Sequence, residues 1–376
     1  MINLIKKWFP NIDWVIVGAL IPLLSAGLFT MDSFTDTENY FLKQSIWIII
    51  SFSVFLVLSN IDFRFLRKTG VIMTLFVITC SILASLFFLG KTVRGSTSWI
   101  NLGFFSFQPA DMAKIMLILL LSKYFTKRHV EIANVRHILI SGLYAVMLFV
   151  LVLLQPDFGS ALIILSIWFG MILVSGISKK HLGIVLLIGA VFFGALWQFG
   201  FKEYQKQRIL TFLHPLSDIR GAGYNAYQST IAVGSGQIFG KGIGYGTQSR
   251  LNYLPEYKTD FIFAAYSEEW GFVGVLFVFL AFSILIFRIL KNASLGDTNF
   301  EMLFGIGVAI LFMVHFVVNV GMNIGLLPVT GVPLPFVSYG GSHLLTSFAG
   351  LGVVMGMRKY SRAAHKDIMK NEFLGI

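Results

Sequence analysis

Charge is scarce in this sequence, and cysteine is almost absent. Asp, Glu, Lys and Arg make up 12% of the 376 residues, about half their share in an ordinary soluble domain. The single cysteine, Cys80, excludes any disulfide within the chain, and its place in an apolar run reads as a small core residue. The sequence has no HExxH and no CxxC, and "SGQIFGKG" departs from the phosphate-loop pattern because Gly242 follows the lysine where Ser or Thr is required. Zinc-protease, thiol-redox and phosphate-loop chemistry are thereby excluded.

What fills the sequence instead is apolar. Hydrophobic residues account for 56%, 38 of the residues are Phe, and the mean hydropathy is +0.79. Such a chain is expected to be an all-α polytopic membrane protein. At about 1.5 Å of rise per residue, about 20 apolar residues cross the hydrocarbon layer. Ten runs qualify as spans: 13–30, 44–60, 70–89, 109–125, 137–154, 159–176, 181–199, 265–289, 300–322 and 343–357. With the N-terminus inside, 18 basic residues fall on cytoplasmic segments and three, Lys43, Lys91 and Arg94, on short outward loops. The positive-inside rule then puts both termini in the cytoplasm, and the net charge of +11 reads as orientation bias rather than as a nucleic-acid surface. No small-residue cleavage site follows the first span, which is therefore expected to be retained.

The segment 200–262, between the seventh and eighth spans, is the outlier. It lies outside, carries seven basic residues, and contains "YNAYQSTIAVGSGQIFGKGIGYGTQ", whose aromatic and amide residues predict an ordered, partly membrane-dipping loop. The expectation is one integral membrane domain, 1–376, with the site on this large loop. Its glycines, Gly234, Gly236, Gly240, Gly242, Gly244 and Gly246, offer backbone N–H groups suited to a phosphate, although glycines also serve membrane turns.

Few residues remain that could carry chemistry. Asp111 and Lys114 share a face of the fourth span, either as an internal ion pair or as contacts to an anionic headgroup. His315, Asn319 and Asn323 recur every four residues along the ninth span, a pattern of interhelical hydrogen bonding or of a polar pathway. Asp157, in "QPDFGS", fits a capped turn. The charge is densest in "YLPEYKTDFIFAAYSEEWGFVG". There Glu268 and Glu269 read as acids at a helix start, while Asp260 stands at the membrane boundary, where partial desolvation and nearby cations tune a general base.

That stretch resembles the large-loop motif of the SEDS family (shape, elongation, division and sporulation proteins), usually LPExHTDFIFA followed by EExGF. "FQPADMAK", "QPDFGSAL", "GAGYNAYQSTIAVGSGQIFGKGIGYGTQSRLNYLPE" and "GMNIGLLPVTGVPLPFVSYGGS" are similar to further family blocks, in the same order along nearly the whole chain. "GTQSRLNYLPE" and "PVTGVPLPFVSYGGS" are more similar to the elongation branch than to the division branch.

The resemblance implies a ten-span peptidoglycan glycosyltransferase. It would polymerise lipid II at the outer face of the bacterial cytoplasmic membrane, beside a class B penicillin-binding protein and the elongation machinery. It implies Asp260 as the catalytic carboxylate and puts Asp111 and Lys114 at the positions of the family's Glu and Lys. Arg208, Arg220, Lys241, Lys258 and Lys114 are the cations expected to meet the leaving diphosphate, and Asp111, Glu256 and Arg94 complete the candidate substrate-binding set. A divalent cation carried with the substrate diphosphate is the candidate cofactor, with no protein metal ligands assigned. Three positions depart from the family pattern: Asp111 replaces Glu, Lys258 replaces His, and "RGSTSW" lacks a basic residue between Gly and Trp. A lipid-precursor flippase or transporter also suits ten spans with intramembrane charge, and a noncatalytic scaffold for the crosslinking enzyme is a third reading.

Overall fold

The computed structural model describes residues 12–33, 39–89, 91–93, 96–101, 106–126, 135–214, 223–251, 253–254 and 256–374. The chain is a helical bundle. Its helices are α1 Trp14–Asp32, α2 Tyr40–Leu58, α3 Thr69–Leu89, α4 Pro109–Thr126, α5 Val135–Leu153, α6 Phe158–Val174, α7 Lys179–Ala195, α8 Glu203–Leu213, α9 Tyr224–Ser235, α10 Thr247–Arg250, α11 Ile262–Ser294, α12 Asn299–Asn323 and α13 Gly341–Leu374. Each predicted span falls on one of α1–α7 or α11–α13. Strands β1 Lys91–Val93, β2 Ser96–Asn101 and β3 Ser106–Phe107 form a small antiparallel sheet between α3 and α4.

Among the described residues, seven helices are long and apolar enough to cross a membrane. The other three spans miss that measure for visible reasons. α4 holds Asp111, Lys114 and Lys123, α6 is 17 residues long, and α13 mixes Gly, Ser and Thr into its apolar half. Large apolar side chains such as Val57, Leu143, Leu187 and Phe277 are exposed on the outside of the bundle. Lipid tails are as apolar as these side chains, so leaving them outward carries no hydrophobic penalty in a bilayer.

Short polar residues set the helix starts. Asp13 accepts from Val15 N at 3.1 Å to open α1, Asp157 accepts from Ser160 N at 3.0 Å to open α6, and Thr298 with Glu301 forms a capping box on α12. Inside the bundle α13 packs on α2, α11 packs on α1 and α12, and α12 reaches α4 and α6. The end of the bundle far from the large loop is tied by charge. Asp13 accepts from Arg288 Nε at 2.9 Å and from Asn292 Nδ2 at 2.8 Å, while Arg67 donates to Glu301 at 2.8 Å and Asp297 at 3.1 Å.

The segment 200–262 is ordered in part by three short helices, α8, α9 and α10. Its glycine-rich stretch is laid against α11 where that helix breaks. Gly271 sits inside α11 at φ 64°, ψ −167°, a conformation closed to residues with a Cβ. The break frees Phe272 N and Val273 N to donate to Gln237 O at 2.9 Å and Ile238 O at 3.1 Å. A Cβ on Gly271 would meet Gly240 N at 2.2 Å. Gly271→Ala is expected to cost about 3 kcal/mol through backbone strain alone, read as a lowered midpoint of thermal unfolding in detergent and faster proteolysis within 236–248.

Candidate active site

Asp260 lies in the turn that joins the large loop to α11, and four neighbouring segments hold that turn. The turn is nucleated by Glu256, at φ 58°, whose carbonyl accepts from Thr259 N at 3.1 Å and Phe261 N at 3.2 Å. Glu256 Oε2 accepts from Thr259 Oγ1 at 3.0 Å. Leu254, Tyr257 and Phe261 are buried with Ala232, Ala264 and Ala265 in a small apolar core beneath the turn. Burial, with Tyr40 nearby, pushes the Tyr257 hydroxyl up to about 12.

Polar contacts then set the height of Asp260. Its main-chain carbonyl accepts from both Asn319 Nδ2 at 3.0 Å and Asn323 Nδ2 at 3.1 Å, two side chains on one face of α12. Asn319 Nδ2 also donates to Val332 O at 2.7 Å, so the same amide holds the 328–340 loop against the turn. From that loop Ser338 Oγ donates to Thr259 O at 2.7 Å and Tyr339 N donates to Lys258 O at 2.8 Å. Asp260 is partly exposed, and Gly331, at φ 73°, lies beside its carboxylate: a Cβ there would stand 3.5 Å from Oδ2. Lys258 Nζ lies 3.6 Å from the centroid of the Tyr40 ring, and burial pulls this ammonium below its ordinary value. It therefore releases its proton at a lower pH than a free lysine.

Beneath the 328–340 loop lies a second polar group, formed by Asp111, Lys114, His315 and His343. Lys114 Nζ donates to Asp111 Oδ1 at 2.8 Å and is 3.5 Å from His315 Nε2; His343 Nδ1 stands 3.6 Å from Asp111. His315 Nδ1 faces Pro333 O at 3.2 Å, and a carbonyl only accepts, so Nδ1 carries the proton and Nε2 accepts from Lys114. The shorter carboxylate of Asp111 still reaches Lys114 because the two residues are three apart on one helix. Both are buried, at 4% and 3% exposure, which makes the internal ion pair the reading the geometry supports over a headgroup contact. His343 gave no signal in the sequence, because one histidine after "SYGGS" has no pattern until the fold stacks its ring 4.8 Å from that of His315.

The two glutamates of "SEEW" correct the expectation of acids at a helix start. α11 begins at Ile262, so Glu268 and Glu269 lie almost two turns inside it and are fully buried. Glu268 accepts from Lys241 Nζ at 2.7 Å, Thr247 Oγ1 at 3.0 Å and Gln248 N at 3.2 Å. Glu269 accepts from Gly244 N at 2.8 Å and Ser33 Oγ at 3.3 Å. The backbone agrees, with Lys241 N and Gly242 N donating to the carbonyls of Glu268 and Glu269. Two of the glycine N–H groups expected to cradle a phosphate, those of Gly242 and Gly244, thus bind Glu269 of α11 instead, and the Lys241 ammonium is committed to Glu268. Asp157, beyond its cap, accepts from Gln108 Nε2 at 2.7 Å. Arg208 is exposed on α8, whereas Arg94 and Arg220 lie outside the described residues.

Among the described residues, no group of three or more His, Cys, Asp and Glu side chains is arranged to hold a metal ion. The structure thus brings Glu256, Lys258 and Asp260 into one turn, places Asp111 and Lys114 inside the bundle, and gives Lys241 to the loop anchor. Lys114→Ala would leave the buried Asp111 carboxylate without its ammonium partner, with only His343 beside it, and is expected to destabilise the protein by about 3 kcal/mol. Thermal unfolding of that variant beside Lys114→Ala/Asp111→Ala, which should recover part of the loss, is the check.

Comparison with known proteins agrees over most of the chain. The sequence profile of FtsW, RodA and SpoVE, described as "Cell cycle protein", matches residues 8–363. Peptidoglycan glycosyltransferase MrdB of Escherichia coli K12 is 38% identical over 297 residues, 78% of this chain and 79% of its own. A chain from a structure titled as the coordination of polymerization and crosslinking by a peptidoglycan synthase complex superimposes with a TM-score of 0.79 at 29% identity, over 93% of this chain and 98% of that one. The rod shape determining protein RodA of Thermus thermophilus superimposes with a TM-score of 0.69 at 28% identity, over 92% and 96%. With a match that spans nearly the whole length, the chain belongs to the FtsW, RodA and SpoVE family of cell cycle proteins.

Proposed function

We propose that this protein is a peptidoglycan glycosyltransferase that polymerises lipid II for cell elongation and rod shape, at the outer face of the bacterial cytoplasmic membrane with both termini inside. The activity is that of the MrdB relative, and the elongation role agrees with the likeness to a rod shape determining protein over nearly all of both chains. The observation that carries the reading is Asp260: a partly exposed acidic residue on a turn whose main chain is held from α12 and the 328–340 loop. Such preorganisation is what a general base requires, because its oxygen must meet the acceptor hydroxyl within hydrogen-bond reach.

In the proposed step, Asp260 takes the proton from the 4-hydroxyl of the acceptor sugar as that oxygen attacks the anomeric carbon of the lipid-linked donor. The new C–O bond forms as the bond to the diphosphate breaks. The electron pair leaves with the diphosphate, and the anomeric centre inverts. Lys258 and Arg208 are the cations proposed to meet the leaving charge, whereas the Lys114 and Lys241 ammonium groups pair with Asp111 and Glu268. A site at the end of the bundle suits two lipid-tailed substrates, whose tails stay in the bilayer while their sugars meet in water. The divalent cation is proposed only as a companion of the diphosphate, and no step is assigned to it.

A class B penicillin-binding protein is the proposed partner. The superposition with a chain of a synthase that couples polymerization to crosslinking supports that pairing. Purified Asp260→Ala should fold and bind this partner yet form no glycan polymer from lipid II, a loss of at least about a hundredfold for removal of a general base. Normal polymerisation by that variant would sink the assignment. Supplying lipid II only on the outer face of proteoliposomes separates a polymerase, which works there, from a flippase. Chelation with EDTA and restoration by Mg²⁺ or Mn²⁺ in the same assay reads the cation requirement.

A further inference from the structure

The loop carrying Asp260 is gripped from α12 and from the 328–340 loop, but the side chain beside it is gripped from a third place. Lys258 extends over the outer end of α2, where its Nζ lies 3.6 Å from the centroid of Tyr40, closer than to the ring of its chain neighbour Tyr257 at 5.0 Å. Tyr339 meets the Tyr40 ring edge-on, at 5.1 Å and 89°, and the same Tyr339 donates its N–H to the Lys258 carbonyl at 2.8 Å. One turn along α2, Gln44 donates to Ser338 O at 3.3 Å and accepts from Gly340 N at 3.4 Å, while Ser338 donates to Thr259 O. The backbone and side chain of Lys258 are therefore set in register with a single helix end. A lysine on the surface of a loop would spread its charge over many rotamers, and an aromatic face restricts it to one.

The Lys43 ammonium also approaches the Tyr40 ring, at 5.4 Å from its centroid. Both ammonium groups thus lie within 5.4 Å of the centroid of one ring, near the turn that carries Asp260, and an ammonium is a fitting contact for an anionic diphosphate. We infer that Tyr40 is a positioning residue for glycosyl transfer: its ring holds the Lys258 ammonium where the diphosphate of a lipid-linked sugar arrives, with Lys43 as the second cation. The inference rests on the reading of Asp260 as the base. Tyr40 itself touches neither substrate nor reacting atoms; it acts through Lys258.

The test is a double-mutant cycle in the lipid II polymerisation assay, with the crosslinking partner present, and in binding of a fluorescent lipid II. The binding measurement reports on the cycle even where turnover is lost. Tyr40→Phe keeps the ring and should stay within about twofold of the unchanged protein, whereas Tyr40→Leu should lower kcat/KM and affinity roughly five- to tenfold, the range of a half-exposed cation–ring contact. On a Lys258→Met background the same Tyr40→Leu change should have less than about a twofold effect, because the contact it removes is already gone. Tyr40→Gln repeats the cycle if the Leu variant does not fold. An equal loss on both backgrounds, or a Tyr40→Phe variant as impaired as Tyr40→Leu, overturns the inference. Activity in Asp260→Ala overturns the reading of the base instead, so the two failures are told apart.

Discussion

Two amide side chains, Asn319 and Asn323, bonded to the main-chain carbonyl of Asp260, set the geometry of the loop-bearing end of this protein. A loop that dips among membrane helices brings peptide groups to a place where water cannot satisfy them, and each unpaired group there is expensive. The amides meet that demand and at the same time fix a height: the carbonyl they hold belongs to the proposed base. Because Asn319 also holds Val332 O, the 328–340 loop cannot shift without moving the turn. His315, one turn deeper on the same face, holds Pro333 O and so continues this seam towards the buried Asp111–Lys114 pair.

Most buried charge in the bundle is paired. Asp111 with Lys114, Glu268 with Lys241, and Asp13 with Arg288 each bury a carboxylate with a cation within bonding distance, whereas Glu269 is held by Gly244 N and Ser33 Oγ. Desolvation would otherwise exceed what the fold gains from the contact. The consequence for function is selective. Lys114, Lys241 and Arg288 serve carboxylates of the fold, and the proposed reading gives the substrate diphosphate to Lys258 on the turn. The resemblance places Lys258 where histidine is usual, and the fold provides it with an aromatic seat. A lysine thus occupies the position of a histidine.

The spans were legible because their signal is local and additive: a run of apolar residues long enough to cross hydrocarbon can hardly form anything but a helix there. Asp260 was legible as a carboxylate at a membrane boundary and, through the motif around it, as the residue to test. Glu268 and Glu269 were misplaced because an acid near a helix start and an acid buried within a helix look alike in sequence, and only the start of α11 at Ile262 tells them apart. Tyr40 and His343 were not visible at all. Each acquires meaning from partners more than a hundred residues distant in the chain, Tyr40 from Lys258 and His343 from Asp111, and no periodicity links them.

Hydropathy and the distribution of charge by themselves determined the helical membrane architecture and the expected orientation, since the bilayer acts on each segment separately. The motif blocks determined the family, because they occur in order along the chain. The tertiary structure decided which charges are paired with which partners. Ion pairing and desolvation depend on distances across the bundle, which exist only once the helices have packed.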